Sequence, residues 1–168
     1  MKRIVCMILL LLLFLPGCDP QEEVFAEPVD FYYMKADVAY FSAEGVIARE
    51  TREAEGYRQN YEYLLGLYLQ GPENQELKQL FPQYVKLVEL EISDRVATVT
   101  FNDTFARLTG LDLTIACACL TATVCDMTGV QSVTIQTENR LLDGNKSITM
   151  TWENILLLDS NAANLINN

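Results

Sequence analysis

Cysteines and carboxylates are the side chains to weigh first for chemistry, because the 168 residues include no histidine. Without imidazole the chain lacks the commonest general base, the commonest metal ligand and any Ser-His or Cys-His nucleophile pair. Three cysteines lie close together, Cys117, Cys119 and Cys125. On a helix turning about 100° per residue, measured from Leu113, they sit near about 40°, 240° and 120°. Zinc needs thiolates that converge, commonly from C-x2-4-C pairs. These diverge, so they are expected to be small core and flanking residues, as free cysteine usually is. Paired carboxylates could support hydrolysis without histidine. The acidic residues are spread out, at Glu50, Glu53, Glu55, Glu73, Glu76, Glu89, Glu91, Asp94 and Asp103. Glu89 and Glu91, two apart on a strand, share one face as an acidic patch or weak calcium contact, with a solvated sheet edge as the plainer expectation. Gly45, Gly56, Gly66 and Gly71 do not have the spacing of a phosphate loop. The expectation is no catalytic residue, no metal and no cofactor.

The remaining cysteines belong to the first eighteen residues. Lys2 and Arg3 precede an apolar run from Ile4 to Leu15, which Pro16, Gly17 and Cys18 follow. At 1.5 Å per residue that run spans about 18 Å, short of the ~30 Å hydrocarbon core of a bilayer. A charged start, a short apolar middle and a small residue before the cut describe a signal peptide. With cysteine at the cut, Leu15-Pro16-Gly17-Cys18 resembles the lipobox of a bacterial lipoprotein. That resemblance implies removal of residues 1–17, a thioether-linked diacylglycerol on Cys18, and acylation of the new amino terminus in many species. Cys18 is thus the expected lipidation site. One acyl chain binds a membrane only reversibly, and two or three hold almost permanently.

Beyond the signal, 151 residues fit one domain with some tail, large enough to bury a core without disulfides. The odd number of cysteines left there does not suggest a disulfide framework. The full chain carries a net charge of −11, and loss of Lys2 and Arg3 takes the remainder to −13. Such a charge opposes nucleic-acid binding, which needs phosphate-neutralising cations. It also repels an anionic membrane surface, so lipid must supply the membrane contact.

Residues 18–28 read as the lipidated cysteine and an acidic linker, a domain follows over 29–152, and 153–168 form a tail. Val29 to Met34 is β-prone, with Phe31 and Tyr33 on one side and Tyr32 on the other. Val38 to Phe41 forms a short strand-like piece, and Val46 to Glu53 a second strand. Tyr57 to Gln70 reads as a helix with Tyr57, Tyr61, Leu64, Leu65 and Tyr68 in one stripe, stopped by Gly71-Pro72. A hairpin follows, Tyr84 to Ile92 and Arg95 to Phe101 across Ser93-Asp94. Leu111 to Met127 is the second helix, its stripe Leu113, Ala116, Cys117, Leu120, Val124 and Met127. Val130 to Thr137 and Ile148 to Trp152 are the last strands. The order predicts an α+β fold, a two-layer sandwich of two helices on one mixed sheet.

The marks along this order are Arg52-Glu53 closing a strand, Leu69-Gln70-Gly71-Pro72, Phe81-Pro82, Ala97-Thr98-Val99, Gly129-Val130 and Val133-Thr134-Ile135. Together, over roughly residues 29–150, they resemble the GerM (GerMN) domain of sporulation and spore-germination proteins. The hairpin turn Ser93-Asp94-Arg95 departs by lacking glycine. Val99-Thr100-Phe101-Asn102 stands where the family often has Val-Asp-Leu-Ser, and there is room for one domain where members often carry two. The resemblance implies a ring-building-motif-like fold without catalysis, in a lipoprotein of a Gram-positive, spore-forming bacterium.

The expected function is therefore a non-enzymatic lipoprotein at the outer face of the membrane. Its partners would be the membrane, through the lipid, and a protein of a sporulation or envelope complex, with no nucleic acid. The edge around Tyr84 to Glu91 is a candidate docking strand. The alternative expectation is a small-ligand or cell-wall-binding lipoprotein using Phe31, Tyr32, Tyr33, Tyr40 and Phe41.

Overall fold

Alternation along Pro28–Lys35 builds the first strand, β1. Val29, Phe31 and Tyr33 are buried on one face, while Met34 is buried and Tyr32 half-buried on the other. In this computed structural model, which describes residues 28–38, 45–54 and 56–156, β1 pairs antiparallel with β2, Ile47–Glu53, from Pro28↔Glu53 to Met34↔Ile47. On its other side it meets β3, Leu77–Lys78, at Met34 and Lys35 alone. Beyond that short pairing a helix takes over, and the Tyr32 amide donates to Thr123 Oγ1 at 2.9 Å. An edge amide left inside a fold needs such an acceptor. The Val38 to Phe41 expectation runs into residues 39–44, outside the described residues.

Helix α1 spans Tyr61–Leu69. It begins four residues later than expected because Asn60 is its cap, its side-chain oxygen accepting from the Tyr63 amide at 3.0 Å. Gly71 follows its end at φ +92°, a backbone that glycine takes without steric penalty. Leu64, Leu65 and Tyr68 are buried, Tyr61 half-buried, and Tyr57 lies outside the helix, 47% exposed.

The second half of the chain forms its own sheet. β4, Leu87–Ser93, and β5, Val96–Phe101, make an antiparallel hairpin. Its two-residue turn holds Asp94 and Arg95 at φ +49° and +69°, the conformation that favours Asn-Gly or Asp-Gly. β4 starts three residues later than expected, as Tyr84 sits at φ +72° and is exposed. β6, Ser132–Thr137, runs parallel to β5, and β7, Ser147–Thr151, antiparallel to β6. The parallel pair needs a crossover. Helix α2, Gly110–Thr128, supplies it and ends at Gly129 in the left-handed conformation. A short α3, Trp152–Leu156, follows β7 and buries Ile155.

The α+β class stands, but among the described residues the strands form two sheets, β2-β1-β3 and β4-β5-β6-β7, in place of the single mixed sheet expected. Helix α2 is the reason. Leu113, Ala116, Cys117, Leu120 and Val124 pack in the larger core with Ala97, Val99, Phe101, Val133 and Ile135. Ile115, Ala118, Cys119 and Ala122 pack in a second core with Met34, Val46 and Ile47. A helix apolar all round is a buried helix. Its 19 residues are long and apolar enough to cross a membrane, yet its apolar surface is taken up inside this domain.

Candidate functional site

The three helix cysteines are free and buried. Burial pushes the thiol of Cys117 up to about 12 and, with the Asp126 carboxylate, that of Cys125 up to about 11. Burial and nearby Cys117 raise Cys119 as well. A thiol held protonated is a poor nucleophile and a poor ligand. Cys117 and Cys125 belong to one core and Cys119 to the other, so they do not converge. Among the described residues, no three His, Cys, Asp or Glu gather as a metal site.

The aromatic residues divide. Tyr33 stacks on Tyr68 with ring centres 4.9 Å apart, and its hydroxyl donates to the Tyr68 carbonyl at 3.1 Å. Phe31 packs 5.9 Å from Tyr68. Phe31 and Tyr33 are sealed in the core, at 0% and 1% exposure, and offer no ring face to a ligand. Tyr32 meets Trp152 edge-on at 6.0 Å. Tyr40, Phe41 and the lipidation candidate Cys18 lie outside the described residues.

One cluster escaped the sequence reading. Arg52 donates from Nε to Glu50 Oε1 at 2.6 Å and from Nη2 to the Gly71 carbonyl at 2.7 Å. Its guanidinium lies 5.3 Å from the ring centre of Phe31. Glu50 accepts from the Asn74 amide at 2.7 Å and the Glu73 amide at 3.2 Å. Burial works to raise the Glu50 pKa, but those two amides and the Arg52 guanidinium outweigh it and hold the carboxyl below its ordinary value. The available signal was the i, i+2 spacing of Glu50 and Arg52, which puts them on one strand face. The cluster joins β2 to the turn after α1 and so positions those elements.

An open surface lies at β4. Among the described residues, no strand pairs with its outer edge. Glu89 and Glu91 stand opposite Thr100 and Thr98 on one face, Leu90 and Ile92 opposite Val99 and Ala97 on the other. Val88 and Ile92 are 48% and 43% exposed. A cavity of about 630 Å³ separates β4 from the start of α1, walled by Gln59, Asn60, Tyr61, Glu62, Leu90 and Ile92. Tyr57 and Tyr63, partly exposed and with ring centres 4.4 Å apart, flank the cap of α1.

A family model described as Germane, sporulation and spore germination, matches residues 30–143. The tandem GerMN domains of the sporulation protein GerM from Bacillus subtilis superpose with a TM-score of 0.53 at 18% identity, over 73% of this chain and 44% of theirs. The chain thus spans less than half of that tandem structure. The first GerMN domain of the same protein gives 0.47 at 14% identity, over 68% of this chain and 84% of its own. A candidate lipoprotein from Clostridium perfringens gives 0.45 at 18% identity, over 80% and 93%. No curated protein matches. The matched span runs from β1 through β6 and takes in the Arg52 cluster, the Gly71-Pro72 turn and helix α2, and with that coverage the chain belongs to the Germane family of sporulation and spore germination.

Proposed function

We propose that this chain is a non-enzymatic lipoprotein, held at the outer face of the cell membrane by lipid on Cys18, whose Germane domain binds a partner protein in sporulation or spore germination. The observation that carries the reading is the β4 edge, which has no strand partner among the described residues and exposes the apolar Val88 and Ile92 while the three helix cysteines are sealed inside. An open edge can pair with an added strand. The family match supports the biological process, and Leu15-Pro16-Gly17-Cys18 supports the anchor. The net charge of −11 favours a basic partner surface and a salt-sensitive association.

Two measurements test it. Cys18→Ala in cells is expected to move the full-length chain from the membrane to the soluble fraction, and retention in the membrane overturns the anchor. Chemical crosslinking of the full-length chain in sporulating cells is expected to trap a partner protein, with yield falling as ionic strength rises. A yield indifferent to salt overturns the electrostatic part, and no crosslinked partner overturns docking.

A further inference from the structure

We infer that the outer edge of β4 receives an extended segment of a partner protein in which apolar and basic side chains alternate. This deepens the docking reading above and rests on it. From Glu89 to Ser93 the strand is regular, after a register shift between Leu87 and Glu89. Five residues of strand extend about 17 Å, enough to hold a partner segment of five or six residues. An added strand would take its backbone hydrogen bonds from that edge.

The two faces of β4 then dictate the partner's side chains. Successive residues of a strand point to opposite faces. On the Leu90 and Ile92 side they meet the cavity of about 630 Å³, where those two residues offer apolar contact while Gln59, Asn60, Tyr61 and Glu62 make the other wall polar and acidic. On the other side they stand beside Glu89 and Glu91, which take lysine or arginine. Cross-strand pairs of opposite charge stabilise, and like charges directly opposite destabilise. Glu62 and Asp94 add to the negative surround. Two cations lie at its ends, Lys86 before the register shift and Arg95 in the turn. The same charges argue against a second copy paired antiparallel through β4, which would bring glutamates against glutamates.

A photocrosslinking residue at Ile92 of the full-length chain in cells tests the edge, with one at Thr149, on β7, as comparison. The expected result is a crosslink from position 92 to a partner peptide of alternating apolar and basic residues. Its yield is expected to fall about tenfold in Glu89→Lys/Glu91→Lys. Both glutamates are exposed, so that variant is expected to keep its thermal midpoint. Crosslinks from position 149 alone, a crosslink from 92 to a second copy or to an acidic peptide, or a yield unchanged by the double variant each overturn this inference and leave partner docking standing. No crosslink from either position removes both.

Discussion

Arg52 Nη2 donates to the carbonyl oxygen of Gly71 at 2.7 Å, tying the end of β2 to the turn that stops α1. The side chains of Arg52 and Glu50 are only 13% and 11% exposed, so the pair lies largely out of water. Removing one partner of such a pair strands the other's charge and costs about 3–5 kcal/mol when burial is complete. Arg52→Ala is expected to destabilise the chain by about 3 kcal/mol in urea unfolding. Arg52→Lys recovers part of this, because an ammonium cannot reproduce the guanidinium fork that serves Glu50 and Gly71 together. Equal stability of the wild type and Arg52→Ala would contradict the geometry.

Glu50 makes that stability depend on pH. Its folded pKa lies below the ordinary 4.5, so the folded state binds the proton less tightly than the unfolded chain. The contribution is fully present above the unfolded value and is lost as pH falls from about 4.5 through the folded value. Urea midpoints measured from pH 7 to pH 3 are expected to drop more steeply below pH 4.5 in the wild type than in Glu50→Gln. Parallel curves would contradict this.

Two threonines of α2 should respond oppositely to one substitution. Thr123 Oγ1 accepts from the Tyr32 amide, and Thr123→Val leaves that amide without its acceptor, destabilising by about 1–3 kcal/mol. Thr121 Oγ1 is buried and has no hydrogen-bond partner among the described residues. Thr121→Val keeps the shape and removes a desolvated hydroxyl, and is expected to be neutral or stabilising by about 1 kcal/mol. Thermal unfolding of the two variants side by side checks the contrast.

Cys117, Cys119 and Cys125 are expected to resist alkylation at pH 8 until denaturant is added, because burial keeps all three thiols protonated. A raised folded pKa makes the contribution complete below the ordinary value of 9.0 and lost as pH rises toward about 11 for Cys125 and about 12 for Cys117. Stability is therefore expected to decline above about pH 9. Rapid labelling of Cys119 in the native chain would contradict its place in the second core.

The residues alone determined a good deal. Period-two alternation at Phe31, Tyr32 and Tyr33 and the stops at Gly71-Pro72 and Gly129 act over a few residues, and they located β1, α2 and the end of α1 closely. The absence of histidine and the diverging cysteines likewise needed no fold. Tertiary structure decided the rest. The stripe Leu113, Ala116, Cys117, Leu120 is legible from spacing, but Ile115, Ala118, Cys119 and Ala122 are equally buried because Met34 and Ile47 come from far away to cover them. Whether strands join one sheet or two depends on such distant partners. β3 pairs with β1 at only two residues, and Thr123 answers the Tyr32 amide beyond them. Local periodicity encodes which side of an element is apolar, and only the folded chain settles what lies against that side.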